Sequence, residues 1–328
     1  MTQNAVRPSI ALTLGDPAGV GPELAIKLLS DPKNLEKAAV TILADTKQFE
    51  AAQAALGVSI PLAEEPTPGF ATLSDDGQGS TEGIALREVS VEAGAATLHQ
   101  LNRAIALANE GKVGAIVFTP LNKTSLHLAG MHEEDELRWF AKQLNFEGTT
   151  SELNILPGLW TARVTSHVSI GQVADLVTKD RVVAAIELLH GVLRDSGIPS
   201  PRIGVAALNP HNGENGLFGR HEIDEIKPGV ERARELGMDA SGPFPSDTIF
   251  LARERFDGIV TQYHDQGQIA MKLLGFDGGV TVQGGLPVTI ATPAHGTAFD
   301  IVGKNVADLA STQNAFDIAV AVASRRSA

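Results

Sequence analysis

The chain has 328 residues, 43% of them hydrophobic and 20% charged, with a formal net charge of −13 and no cysteine. That balance excludes long disordered tracts, disulfide stapling, thiolate nucleophiles and cysteine-based zinc sites, and it argues against a nucleic-acid partner while permitting a local basic pocket. No segment approaches the roughly 18 to 20 continuous apolar residues that span a bilayer, so no membrane partner is expected, and the N-terminus lacks the basic start and apolar core of a secretion signal, which reads as cytoplasmic.

In chain order, "SIALTL" from Ser9 reads as a strand, and "GPELAIKLLSD" as a helix with Pro22 in its first turn. "AVTILA" is a second strand and the Pro-rich "PLAEEPTPGF" a loop. "AATLHQLNRAIALANEGK" has apolar residues at helical spacing and stops near Gly111; "GAIVFTP" is again a strand. The later β-rich runs are "ARVTSH", "RIGVAALNP", "DGIVTQYHD" and "GVTVQGG", and the stretch from Asp308 closes the chain with a helix. Short β-branched runs alternating with helices predict an α/β protein with a largely parallel sheet. The length suits two domains, with a soft boundary expected near residues 120 to 130, where the pattern passes through "TPLNKTSLHLAG".

Functional groups of open α/β sheets collect at the carboxyl ends of strands. Of nine histidines, His167, His211 and His264 each follow a β-rich run at that end. Three neutral imidazoles converging there would bind a divalent ion with sites left open for a ligand, although surface or capping roles are the commoner fate of a histidine. Asp265 beside His264 can orient the imidazole, but neighbouring side chains diverge in extended structure. Lys272, in "QIAMKLLGF", reads either as a lysine with its ammonium in water or as a partly desolvated proton donor and acceptor. The glycines at 15, 19 and 21 of "GDPAGVGPE" match neither a dinucleotide fingerprint nor a P-loop, though the loop can bring backbone N–H groups to an anion.

Taken together, "LTLGDPAGVGPE", "TPLNK", "LNPHNGENGLFG", "GPFPSDTIF", "YHDQGQ" and "PAHGTAFDIVGK" resemble the 4-hydroxythreonine-4-phosphate dehydrogenase (PdxA) family of vitamin B6 biosynthesis, from about residue 8 to the C-terminus. The resemblance implies an isocitrate/isopropylmalate dehydrogenase-like fold, two α/β domains flanking a cleft: residues 1–125 plus 303–328, and residues 126–302 with the metal and substrate site. It also implies a homodimer with a shared active site, NAD or NADP as cofactor, and a divalent metal (Zn, Mg, Mn, Co or Ni). Matched motif by motif, the metal ligands fall on His167, His211 and His264, and the substrate-contacting lysine on Lys272. Asp265 and Asp247 match polar positions around metal and cofactor. Gly284, Gly285 and Leu286 match a strand-end loop near NAD.

The chain departs from the pattern at one subsite. Biosynthetic members carry His and Thr where this chain has Glu136 and Leu137, an Asn at Thr281 and an Arg at Ile290. Each lost charge-assisted hydrogen bond is worth on the order of 1.5 to 3 kcal/mol. The resemblance implies oxidation of a β-hydroxy acid with decarboxylation, and the altered subsite leads us to expect a non-phosphorylated substrate. The alternatives are the biosynthetic reaction itself, a terephthalate cis-dihydrodiol dehydrogenase-like reaction, and a non-catalytic binding protein on an enzyme scaffold.

Overall fold

A computed structural model describes residues 7–275 and 278–326. The elements in order are β1 (Ser9–Thr13), α1 (Gly21–Ser30), α2 (Pro32–Lys37), β2 (Ala39–Leu43), α3 (Thr46–Leu56), β3 (Thr72–Ser74), α4 (Val91–Asn109), β4 (Ala115–Phe118), α5 (Lys123–Leu128) and α6 (Glu136–Gln143). There follow β5 (Ser151–Leu156), β6 (Leu159–Arg163), α7 (Ile170–Leu176), α8 (Lys179–Ser196), β7 (Arg202–Ala206), α9 (Lys227–Glu235), β8 (Asp239–Phe244), α10 (Ser246–Ile249), β9 (Gly258–Thr261), α11 (His264–Leu274), β10 (Val280–Gly284), β11 (Thr289–Pro293) and α12 (Ala310–Arg326). Among the described residues, no helix is long and apolar enough to cross a membrane.

The chain forms two units, Met1–Glu147 with Leu286–Ala328, and Gly148–Gly285. The joins therefore lie later than residue 125 and earlier than residue 302. The reason is packing: Leu126, Leu137 and Phe140 from α5 and α6, together with Ile290 of β11, share one apolar core with Ala11, Ile116 and Phe118.

In the first unit β3, β2, β1, β4 and β11 lie side by side, all parallel. Nearly every residue of β1 and β4 is buried, as a parallel strand covered on both faces requires. The cover comes from α4 and α12. Gly94 marks how closely α4 approaches α5, since a Cβ there would sit 2.0 Å from the Ser125 carbonyl oxygen.

In the second unit β6, β9, β7 and β8 are parallel neighbours, whereas β5 is antiparallel to β6 and β10 antiparallel to β5. The sheet is therefore mixed, and β5 and β8 add strands that the β-branched runs did not indicate. Residues of β5 alternate in burial, as expected where a polar and an apolar face differ.

Candidate active site

The three parallel strands that precede the candidate histidines are adjacent, in the order β6, β9, β7. His167, His211 and His264 thus leave three neighbouring strands at their carboxyl ends. Polar side chains lace these ends together. Thr165 donates to the Gln262 carbonyl at 2.7 Å, Gln262 to the Ala206 carbonyl at 2.7 Å, and Gln266 to the Ala207 carbonyl at 2.8 Å. Each bond adds a side-chain donor to a backbone carbonyl where the strands end.

His264 is the first residue of α11, and its Nδ1 lies 2.7 Å from Asp265 Oδ1. A helical start, unlike extended chain, lets neighbouring side chains meet. With the carboxylate accepting from Nδ1–H, Nε2 keeps its lone pair for a metal. The His167 ring lies 5.8 Å from that of His264, centroid to centroid.

His211 is presented differently. Residues His211 to Asn215 all have positive φ, between 42° and 74°, forming a left-handed turn at the end of β7. Asn and Gly tolerate this region best, and three of the five are of those types. Buried Glu222 anchors the approach by accepting from the backbone N–H groups of Leu208 and Asn209 at 2.9 and 2.7 Å. The three imidazoles do not form one cluster with all ligand atoms within 4.8 Å of one another in a single chain. The structure brings His167 and His264 together and leaves His211 on its own turn.

The remaining candidates divide. Lys272 is exposed in the last turn of α11, and Asp247 is exposed in the first turn of α10. Gly284 and Gly285 have a packing reason to be glycine. A Cβ on Gly285, at φ +90°, would sit 2.1 Å from the Thr149 carbonyl oxygen, and one on Gly284 would sit 2.9 Å from that of Ser151. Leu286 is buried in the core of the first unit, and so are Leu137 and Ile290. These three side chains are packed into the core, which leaves only their backbone groups to face a ligand. Thr281 is half-buried on β10 in the second unit.

Glu136 begins α6 with its carboxylate largely buried and 3.4 Å from the ammonium of Lys123. Asp135 caps the same helix by accepting from the Arg138 N–H at 2.8 Å. A feature that sequence reading missed is a cavity of about 390 Å³ in the first unit, walled by Ala51, Ala52 and Leu56 of α3 and by Pro17, Gly19 and Pro22 of the "GDPAGVGPE" loop. The run of small residues on one face of α3 was the available signal.

Parallel strands that end in candidate metal ligands describe an α/β protein with its polar residues gathered at the carboxyl ends of the sheet, and comparison with known proteins narrows this. The profile described as "Pyridoxal phosphate biosynthetic protein PdxA" matches residues 27–319, and the chain belongs to that family. It is 49% identical over 324 residues to a Pseudomonas aeruginosa protein provisionally named 4-hydroxythreonine-4-phosphate dehydrogenase 2, covering 95% of this chain and 96% of the relative. It is 36% identical to D-threonate 4-phosphate dehydrogenase of Cupriavidus necator, covering 97% and 98%. Among solved structures, 4-hydroxythreonine-4-phosphate dehydrogenase from Klebsiella pneumoniae superposes with a TM-score of 0.83 at 35% identity, covering 98% and 99%. A terephthalate 1,2-cis-dihydrodiol dehydrogenase from Burkholderia xenovorans gives 0.71 at 29%, covering 93% and 95%. A β-decarboxylating dehydrogenase from Thermococcus kodakarensis, at 14% identity and a TM-score of 0.50, shares the fold alone.

Proposed function

We propose that this chain is an NAD- and divalent-metal-dependent dehydrogenase that oxidises a β-hydroxy acid with decarboxylation, acting on a substrate without phosphate. The observation that carries the substrate reading is Glu136. A helix N-terminus ordinarily favours an anion, but here Asp135 and Glu136 already meet the partial charge of α6, and Lys123 already pairs with Glu136. A phosphate dianion would meet carboxylates instead of donors. Leu137 and Ile290, withdrawn into the core, replace none of the lost bonds.

The donor set suits a metal. Imidazoles favour later transition metals such as Zn or Ni, and Asp265 orients one of them. His211 stands apart in one chain, so a shared site in a homodimer is part of this reading. His167 and His264 would hold the metal, which would supply Lewis-acid polarisation of the substrate hydroxyl, and NAD would supply the hydride acceptor. The chain's own groups hold and orient: His167 and His264 face the reacting centre, exposed Lys272 meets the substrate carboxylate, and exposed Asp247 lies toward the cofactor. For the cofactor's adenosine, the cavity beside the "GDPAGVGPE" loop has the size and apolar walls a ligand pocket needs, whereas the Gly284–Gly285 turn is filled by backbone.

The names of the relatives favour a second reading, a substrate carrying a 4-phosphate, either 4-hydroxythreonine 4-phosphate or D-threonate 4-phosphate. Measuring NADH formation with added metal decides between them. Under our reading kcat/KM for both phosphate esters falls well below about 10⁴ M⁻¹s⁻¹, the lower end of ordinary enzymes. A value at or above it would restore the phosphorylated substrate.

A further inference from the structure

A sheet face that packs against a helix is ordinarily apolar. Beneath the start of α11 it is polar, although Met271 further along the helix packs on Leu159 and Ile259. Gln283 of β10 lies opposite Glu152 of β5, Glu152 pairs with Arg163 of β6, and Arg163 lies opposite Thr261 of β9; the next row on the same face runs Thr281, Asn154, Thr161 and the apolar Ile259. Arg163 and Glu152 pair at 2.6 Å, both largely buried. From α11, the Gln268 amide donates to Asn154 Oδ1. The Oε1 of buried Gln283 has no hydrogen-bond partner.

Burying this many polar groups costs free energy unless they are matched, and one acceptor is left without a donor. A small cavity of about 10 Å³ opens in the layer between Glu152, Asn154, Arg163 and Gln268, and His264 forms part of its wall. That volume holds one oxygen atom and no phosphate group. The charges in the layer cancel, so it offers donors and acceptors together without a net field for an anion.

We infer that this polar layer under α11 is the specificity determinant of the reaction, receiving a second, unreacting hydroxyl of the substrate beside His264 through Arg163, Glu152, Asn154 and Gln268. The substrate is then a polyhydroxy acid. The inference rests on the dehydrogenase reading in that His264 faces the reacting carbon. The pairing of Glu152 with Arg163 also makes the layer a barrier to a phosphate ester, because the carboxylate cancels the one cation there.

The test uses the full-length protein with Zn²⁺ and calorimetric titration of three probes: D-threonate, D-threonate 4-phosphate, and 3-hydroxybutanoate, which lacks the extra hydroxyls. Gln268→Leu should weaken D-threonate about 3- to 10-fold, the worth of one neutral hydrogen bond, and leave 3-hydroxybutanoate unchanged. Glu152→Gln should shift the D-threonate to D-threonate 4-phosphate affinity ratio at least tenfold toward the ester. Circular dichroism checks the fold of both, and Gln268→Leu serves alone if Glu152→Gln fails to fold. The inference is overturned if Gln268→Leu weakens D-threonate and 3-hydroxybutanoate equally, or if wild-type protein binds those two equally well. Wild-type preference for the phosphate ester would instead count against the substrate reading above, and the Gln268→Leu comparison would still decide the role of the layer.

Discussion

The imidazole rings of His167 and His264 lie 5.8 Å apart, centroid to centroid, although 97 residues separate them in the chain (264 − 167). If they share a metal, replacing either with alanine should abolish metal-dependent NADH formation and leave the circular dichroism spectrum unchanged. Asp265→Asn should weaken metal affinity about 10- to 100-fold, the usual effect of removing a group that orients a ligating histidine. Competition with a chelating dye measures both. Unchanged affinity in all three variants would place the metal elsewhere.

Glu136 and Lys123 form an ion pair at the start of α6. Glu136→Gln removes the negative charge and keeps the shape, so kcat/KM for D-threonate 4-phosphate should rise about tenfold, as 1.4 kcal/mol of relieved repulsion would give. Steady-state kinetics with the ester and with D-threonate shows whether the gain is specific. An equal change for both substrates would remove Glu136 from phosphate discrimination.

The left-handed turn that carries His211 includes Glu214 at φ 42°. A residue with a Cβ costs roughly 1 to 2 kcal/mol in this region, and a β-branched one more. Glu214→Gly should therefore leave stability unchanged or improved, whereas Glu214→Val should lower the melting temperature and weaken metal binding through His211. Thermal unfolding with and without metal separates the two effects.

Gly94 sits where α4 crosses α5, with the Ser125 carbonyl oxygen only 2.0 Å from the position of a Cβ. Backbone cannot rotate away as a side chain can. Gly94→Ala should destabilise by about 1 to 3 kcal/mol, although alanine is the better helix former, and thermal unfolding should show a drop of roughly 2 to 4 °C per kcal/mol.

Arg202 grips Asp257 with two side-chain bonds of 3.1 and 3.0 Å and its own backbone N–H at 2.8 Å. These bonds hold the Asp257 carboxyl below its ordinary value. A depressed carboxylate stabilises the fold above its unfolded-state pKa, and that contribution is lost as pH falls through the folded-state value. Asp257→Asn should lower stability at neutral pH and flatten the acid limb of the stability curve below about pH 4, where the unfolded carboxyl begins to protonate. Urea unfolding at a series of pH values measures this, and parallel limbs for wild type and variant would contradict it.

Much of this protein was legible without coordinates. The β-branched runs of β1, β2, β4, β6, β7 and β9 and the helical spacing of α1 and α4 are short-range patterns, and side-chain periodicity follows directly from strand and helix geometry. The placing of His167, His211 and His264 at strand ends came from the same patterns. Tertiary structure decided the rest, because it depends on which distant residues meet. Nothing local in "SELNIL" announces an antiparallel strand whose Glu152 would pair with Arg163. Nor does "VTIATP" announce a strand that returns beside β4, drawing Ile290 into the core of the first unit with Leu137. Nor does "QGG" announce that the Ser151 and Thr149 carbonyls approach Gly284 and Gly285 closely enough to exclude a side chain.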